Sequence, residues 1–473
     1  MARIEASCKT DNAMSQLTTN TQQPTVEERR SACPGLFRMA KARDGAICRV
    51  KLAFGDLSSD QARRVADAAQ RFGNGTIEIT NRANLQIRGV RPDTENPLIA
   101  LLLDAGLGPL TDWGDDVRNV MISPIAGAYS DSVDVRTLGS QLLEALQTNS
   151  SYQTLSPKFS ILIDGGESVA IVDHPHDLWL SPIDLESNAP RFAFGVAGVP
   201  PTRADDQPAL GTVTTGRAFD FITTILGLFV EWNLTHPEAA RLRHMIADMG
   251  AERFVDQLEL RLGFRVRRDE LADWRRAPPR LNSHLGILPD GNGSNCFVGA
   301  MAPLGRLDPG LLQLLAELAD KHSHRKLRMT PWQSILLPDV SIDNAANALA
   351  DLEALGLSAN PQKVLATMLS CSGSAGCGSA LAATQADGLK LAALLDGKTG
   401  IPQIHMSGCV KSCASPSAKP VTLIASAPGR YDIFLRATNG PSRFGKLLAA
   451  NVTIEKAAEL IGENSGSGGP LHA

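Results

Sequence analysis

Residues 371–378 read Cys-Ser-Gly-Ser-Ala-Gly-Cys-Gly, and residues 407–413 read Ser-Gly-Cys-Val-Lys-Ser-Cys. Five residues separate Cys371 from Cys377, three separate Cys409 from Cys413, and thirty-one lie between the pairs. A cubane iron–sulfur cluster needs four thiolates converging from loops that bend sharply and bring backbone N–H groups to the sulfurs. Glycine supplies such bends, because it adopts positive φ without steric cost. Structural zinc favours tighter knuckles, and the chain has no C-x-x-C. A disulfide framework does not suit a long chain in which no secretion signal is read. Four unrelated buried thiols are the remaining rival, and cluster ligation is preferred to all three.

Composition sets the outer limits. The 473 residues provide for two to four domains, and 43% apolar residues is ordinary for a globular protein. A formal net charge of −4 and a pI near 6.2 give no footing for nucleic acid or an anionic membrane as partner. The longest apolar stretch, 219–232, is interrupted by Asp220 and Glu231 and reads as a buried helix, not a membrane span. Residues 1–30 are polar and contain four acidic residues, which predicts a disordered tail without a targeting signal; a cytoplasmic location is expected. The other cysteines, at 8, 33, 48 and 296, lack ligand spacing and read as reduced thiols.

A repeat runs through the chain at an offset of 250. Gly55, Leu57, Ala66, Ala69, Thr80 and Val90 match Gly305, Leu307, Ala316, Ala319, Thr330 and Val340 without a gap. Each copy predicts a strand (47–54; 296–302), an N-cap at Ser58 or Asp308, a helix with apolar residues at three and four, and two short strands (76–80 and 85–90; 326–330 and 334–337). That order is half of a ferredoxin-like α+β unit, too small to bury both sheet faces, so the two copies are expected to pair with each other. Between them, strands are predicted over 157–164 and 191–199, helices over 215–232 and 237–249, and a surface linker over 267–279. Helices are expected over 343–355 and 378–395; the second opens behind the first cysteine pair, its positive end toward an anionic cluster.

Cationic side chains supply the candidate binding groups. Along Thr80-Asn-Arg-Ala-Asn-Leu-Gln-Ile-Arg88-Gly89, strand alternation puts Arg82, Asn84, Gln86 and Arg88 on one face and Ala83, Leu85 and Ile87 on the other. The second copy holds Trp332, Ser334, Leu336 and Pro338 at those positions, so the polarity belongs to the first copy alone. A guanidinium binds carboxylates and oxyanions bidentately. Arg118, before an apolar strand, and Lys158, at the head of another, fit a binding role and a salt-bridged surface role equally well.

The cysteine spacing resembles the signature of the sulfite and nitrite reductase superfamily, whose four thiolates hold a 4Fe-4S cluster and whose last thiolate bridges to a sirohaem iron. The resemblance spans roughly residues 31–460 and implies a pseudo-two-fold symmetric α+β fold. Its expected parts are a tail (1–30), a first half-unit (31–92), a first α/β domain with helical insertion and linker (93–280), a second half-unit (281–342), a second α/β domain carrying the cluster (343–463) and a flexible tail (464–473). By the same resemblance Arg82, Arg118 and Lys158 fall on positions that bind substrate or cofactor in the reductases. Ser160 departs, standing where many of them place a second lysine, which weakens an assignment to sulfite or nitrite. Within the superfamily the chain most resembles the precorrin-3B synthase family, in residues 31–36, 42–45, 81–89, 114–124, 192–198, 305–308 and 330–332.

That family resemblance implies an oxygen-dependent monooxygenase of aerobic cobalamin biosynthesis. A meso carbon of precorrin-3A is hydroxylated and a ring A acetate closes a lactone. It also implies a 4Fe-4S cluster on Cys371, Cys377, Cys409 and Cys413, and a mononuclear non-haem iron, with the substrate in the space the reductases give to sirohaem. Arg82, Arg88, Arg118 and Lys158 would bind the carboxylate-rich rim of precorrin-3A. A sirohaem-dependent sulfite or nitrite reductase is the alternative. No G-x-G-x-x-G lies between a strand and a helix, so an external reductase or ferredoxin is expected to bring electrons that originate in NAD(P)H. Ligands for the non-haem iron are not assigned. Asp173-His174-Pro-His176-Asp177 reads as a surface turn, and His405 as a group hydrogen-bonding near the cluster.

Overall fold

The computed structural model describes residues 33–187, 189–268, 271–436 and 443–465. The tail expected over 1–30 lies outside the described residues, as does the one over 464–473 apart from Asn464 and Ser465. The first half-unit runs β1 (Ala40–Ala42), β2 (Gly45–Val50), β3 (Asp56–Ser58), a helix (Ser59–Phe72), β4 (Ile77–Ile79) and β5 (Leu85–Val90). Ser58 caps the helix by accepting from the Gln61 backbone, while the Gln61 side chain returns to the Ser58 N–H, satisfying two otherwise orphaned donors.

The first α/β unit contributes β6 (Val120–Met121), β7 (Ile161–Ile163), β8 (His176–Ile183), β9 (Arg191–Gly198) and β10 (Gly211–Thr214). Strands β6, β7 and β8 are parallel, and β9 and β10 follow antiparallel. The helix Ala218–Asn233 covers one face, placing Phe221, Ile225 and Phe229 in the same core as Leu178, Leu180 and Phe194. The second half-unit comprises β11 (Gly286–Pro289), β12 (Asn295–Met301), β13 (Arg306–Leu307), the helix Pro309–His322 capped by Asp308, β14 (Lys326–Met329) and β15 (Ser334–Ser341). The second α/β sheet is β16 (Leu369–Ser370), β17 (Ile404–Ser407), β18 (Val421–Ala427), β19 (Arg430–Leu435) and β20 (Lys446–Val452). It repeats the first sheet's topology: three parallel strands, then two antiparallel ones.

The half-units pair by exchanging strands. Strand β3 leaves its own sheet and lies on β14, Leu57 opposite Leu327; β13 does the reverse and lies on β4, Leu307 opposite Ile77. One core then serves both copies, with Ala62, Val65, Ala66 and Ala69 of one helix facing Leu312, Leu315, Ala316 and Ala319 of the other. The small alanines let the two backbones approach closely. Backbone strain repeats as well: Phe54 and Leu304, and Ala83 and Gln333, are non-glycine residues with positive φ at the same offset of 250.

Two sequence expectations change. Residues 173–177 are a surface turn only in part, with Asp173 and Pro175 exposed. His174, His176 and Asp177 are buried, and His176 opens the eight-residue strand β8. The arginine-rich segment over 267–279 is anchored where a free surface linker was expected. Buried Arg276 donates to both carboxylate oxygens of Asp164 (2.6 and 3.1 Å) and to the Glu167 carbonyl (2.7 Å), fixing the segment against the end of β7.

Beside that pair the Glu167 carboxyl is buried, with one oxygen lacking a hydrogen-bond partner among the described residues. Burial first, and then the Asp164 charge, push its pKa up to about 8, against the opposing pull of Arg276 and two backbone N–H groups. The folded value lies above the unfolded one, so its contribution to stability is complete below about pH 4.5 and is lost as pH rises through about 8. Glu167→Gln removes the titration. The melting-temperature advantage of the variant over the parent should grow from about pH 5 to about pH 9; a constant difference would contradict the buried neutral carboxyl.

Candidate functional site

The cysteine loops leave the carboxyl ends of β16 and β17. Those strands pair in parallel, Leu369 with His405 and Ser370 with Met406, which sets the two loops side by side. Cys371 continues the ladder by donating its N–H to the Met406 carbonyl at 3.2 Å. The Gly408 N–H points at the Cys371 sulfur at 3.1 Å, and a Cβ on Gly408 would come within 2.5 Å of Ala380, so only glycine admits this approach. The flanking helix starts at Thr384, six residues later than expected, with a turn intervening. Its first turn nevertheless faces Cys371: the Thr384 hydroxyl and the Gln385 amide both donate to the Cys371 carbonyl, at 2.8 and 3.1 Å. All four thiols lie close enough to interact. Cys413 is an exposed residue, yet desolvation by the surrounding loops, followed by the charges of Cys371, Cys409 and Cys377, raises its pKa. Holding all four as thiolates calls for a metal counter-charge. The residues present fit a 4Fe-4S cluster.

Arg88 is where the structure departs most from the sequence reading. Its side chain is 2% exposed, and its donors are taken up inside the protein. It donates to both oxygens of Asp44 (2.9 and 2.8 Å), to Glu78 (3.2 Å), to the Ser372 hydroxyl (3.0 Å) and to the Gly376 carbonyl (2.7 Å). Burial opposes its charge, but Asp44 and Glu78 outweigh burial and hold its pKa above the ordinary arginine value. A Cβ on Gly376 would fall 2.4 Å from an Arg88 nitrogen, so the loop must have glycine there. Glu78 also accepts from Arg306 at 2.8 Å and from Ser372 at 2.9 Å. Arg88 therefore leaves the substrate-binding set and becomes the tie between the first half-unit and the first cysteine loop.

The other three candidates divide. Arg82 stands at the tip of a tight loop in which the Thr80 hydroxyl accepts from the backbones of Arg82 and Asn84, and Ala83 is left-handed. Asn81 in that loop donates to the Cys413 carbonyl at 3.1 Å, bringing Arg82 to the second cysteine loop. Arg82 reaches only the Lys158 carbonyl, at 3.4 Å, and has no carboxylate partner among the described residues. Burial, then Arg49 and Arg241, lower its pKa to about 10. Lys158 is exposed. Arg118 is instead consumed internally by Asp115 at 3.0 Å and by the Leu107 and Gly108 carbonyls. Ser160 is buried, its hydroxyl unpartnered.

Sequence reasoning missed Arg49. It lies on β2 opposite Gln86, whose side-chain carbonyl it contacts at 2.6 Å, and like Arg82 it has no carboxylate partner among the described residues. Arg49 lines a cavity with Glu78, Gln86, Cys371 and Cys413. Its signal was available: it alternates with Cys48 and Val50, which are fully buried.

Comparison with known proteins follows this geometry. Residues 40–105 and 289–355 match the nitrite/sulfite reductase ferredoxin-like half domain, and residues 113–266 match the nitrite and sulphite reductase 4Fe-4S domain. The chain carries nitrite and sulfite reductase superfamily domains. It is 28% identical over 461 residues to a ferredoxin–nitrite reductase of Synechococcus elongatus, covering 93% of this chain and 89% of that protein. It is 27% identical over 450 residues to a precorrin-3B synthase of Sinorhizobium sp, covering 93% and 90%. The structure of the Mycobacterium tuberculosis NirA protein superposes with a TM-score of 0.72 at 20% identity, covering 90% of this chain and 82% of that one. The segment 113–266 contains no cysteine. In this chain Cys371, Cys377, Cys409 and Cys413 follow strands of the second sheet, which repeats the topology of the first.

A mononuclear iron finds no ready site. Among the described residues no three His, Cys, Asp or Glu side chains close on one ion position. A cubane escapes that criterion because its thiolates bind separate irons. The run 173–177 does not supply a two-histidine, one-carboxylate set. Asp173 pairs with Lys419 at 2.9 Å, and Asp177 pairs with Arg241 and accepts from the Ser160 and Leu242 N–H groups. His405 lies buried on β17 with Nε2 unpartnered, its pKa lowered to about 3 by burial and then by Lys419.

Arg88→Met should lower the unfolding free energy by about 3 kcal/mol, since it leaves half-buried Asp44 without a guanidinium and Glu78 with Arg306 alone. A change below about 1 kcal/mol would show the tie to be dispensable.

Proposed function

We propose that this chain is a precorrin-3B synthase, an oxygen-dependent oxidoreductase that hydroxylates precorrin-3A and closes its lactone. One distribution of charge carries the reading. Arg49 and Arg82, without carboxylate partners among the described residues, flank the cysteine loops. Arg118 is neutralised by Asp115, and uncharged Ser160 stands where many reductases of the superfamily carry a lysine. Spaced guanidiniums suit the separated acetates and propionates of a macrocycle. Holding a small inorganic anion against its reduction calls for further positive charge beside Lys158, where this chain has uncharged Ser160. The precorrin-3B synthase relative, matched over nearly its whole length, supports the same reading.

The residues act by binding and orienting. Arg49 and Arg82, with exposed Lys158 at the margin, grip rim carboxylates and turn one meso carbon toward the reacting centre. The loop holding Asn81 to Cys413 keeps that grip in register with the cluster. One oxygen atom of dioxygen enters the substrate and the other leaves as water, so each turnover draws two electrons and two protons from outside the substrate. A bound 4Fe-4S cluster supplies single-electron transfer. Electrons come from an external ferredoxin or reductase, consistent with the ferredoxin-dependent relatives.

Purified, cluster-loaded protein given precorrin-3A, isotopically labelled dioxygen and a reducing system should yield a product heavier by one labelled oxygen atom. Unlabelled product, together with nitrite- or sulfite-dependent oxidation of the donor and an intense red chromophore, would establish the sirohaem reductase alternative instead.

A further inference from the structure

His174 and His176 are 5% and 1% exposed, and their rings stack obliquely with centroids 4.8 Å apart. Nδ1 of His174 and both ring nitrogens of His176 have no hydrogen-bond partner among the described residues. A buried polar atom left unpaired opposes folding, and three such atoms in one place mark a site kept for a ligand's acceptor or donor groups. Parallel pairing of β6, β7 and β8 aligns Val120, Ile161 and Leu178. One step back along the strands, the backbones of Asn119, Ser160 and Asp177 are joined: Ser160 accepts from the Asp177 N–H, and Asn119 from the Ile161 N–H. The histidines thus stand at the same sheet edge as Arg118 and Lys158, next to uncharged Ser160.

The charges around them fix the sign of the ligand. Arg82 acts on both rings, Arg241 on His176 and Lys419 on His174. Lys419 is paired with Asp173 and Arg241 with Asp177, whereas Arg82 has no carboxylate hydrogen-bond partner among the described residues. Three cations acting on the rings oppose a metal ion. Burial first, and then Arg82 or the neighbouring ring, lower both imidazole pKa values, His174 to about 3, so the rings are neutral and each can present one N–H. Two neutral donors beside one guanidinium make an acceptor's site.

We propose that His174 and His176 join Arg82 in binding one carboxylate of the macrocycle rim, doing with uncharged donors what a second lysine does where Ser160 now stands. The assignment rests on the macrocycle reading above and adds the residues that orient the ring. The Arg82 guanidinium takes the carboxylate charge, and the imidazole N–H groups fix its plane, so the meso carbon is presented in one rotational setting.

The test uses cluster-loaded protein and uroporphyrin III, a stable tetrapyrrole bearing acetate and propionate groups, with affinity read by porphyrin fluorescence and folding by thermal melting. His174→Phe and His176→Phe keep ring shape without the donors and should each weaken binding roughly tenfold. His174→Gln and His176→Gln retain an N–H donor and should stay within about threefold of the parent. In parent protein carrying isotopically labelled histidine, two imidazole NMR signals should shift when uroporphyrin is added, a readout that needs no variant. Parent-like affinity in the Phe variants, or no imidazole shift with bound porphyrin, overturns the assignment. Variants that change nitrite or sulfite binding but not porphyrin affinity overturn it in favour of a free oxyanion. A parent protein that binds no uroporphyrin at all removes the macrocycle reading itself.

Discussion

The buried Arg88 guanidinium is the constraint on which the site depends. It joins Asp44 and Glu78 of the first half-unit to Ser372 and Gly376 of the first cysteine loop, across nearly three hundred residues of sequence. A buried ion pair contributes little net stability, because desolvation offsets the attraction. Its value is geometric: five directed hydrogen bonds from one planar group allow a single placement of the loop. Gly376 has no room for a Cβ under that guanidinium, so the contact fixes both partners. Asn81, reaching Cys413, makes the corresponding tie for the second loop.

Most of the ties come from the first copy, with Arg306 of the second reaching the Ser372 carbonyl at 3.3 Å. The half-units exchange β3 and β13, share a core and repeat the same left-handed residues, and the two α/β sheets have one topology. On this symmetric frame the chemistry is divided. The second sheet carries cysteines beyond the carboxyl ends of β16 and β17, whereas the first carries arginine, lysine and histidine before the amino ends of β6, β7 and β8. The half-unit strands carrying Arg49, Arg82 and Arg88 lie between them, so cofactor and substrate groups meet where the copies join.

What could be read in advance follows the range of the interaction. Cysteine spacing, helix caps at Ser58 and Asp308 and the repeat at 250 are local patterns, and all were legible. Strands β3 and β13 are two or three residues long and gain their partners from the other copy, so no local alternation announces them. Arg88 looked like a binding residue because strand alternation places it on the polar face; its neutralising carboxylates, Asp44 and Glu78, become neighbours only when the sheet forms. Asp-His-Pro-His-Asp has the composition of a turn, and Asp173 and Pro175 are exposed, yet the Asp177 carboxylate is satisfied by Arg241 from a distant element, which permits burial of the strand start. Arg276 was read as linker for the same reason, its partner Asp164 lying 112 residues away.

The central claim is that four thiols on two loops, held by Arg88 and Asn81, clasp an iron–sulfur cube at the joint between the copies. Acid-labile sulfide and iron measured on protein purified without oxygen test it most directly. The account predicts about four sulfides and at least about four irons per chain, with a paramagnetic signal appearing on one-electron reduction. Protein free of labile sulfide, or holding a single zinc ion on these cysteines, would contradict it.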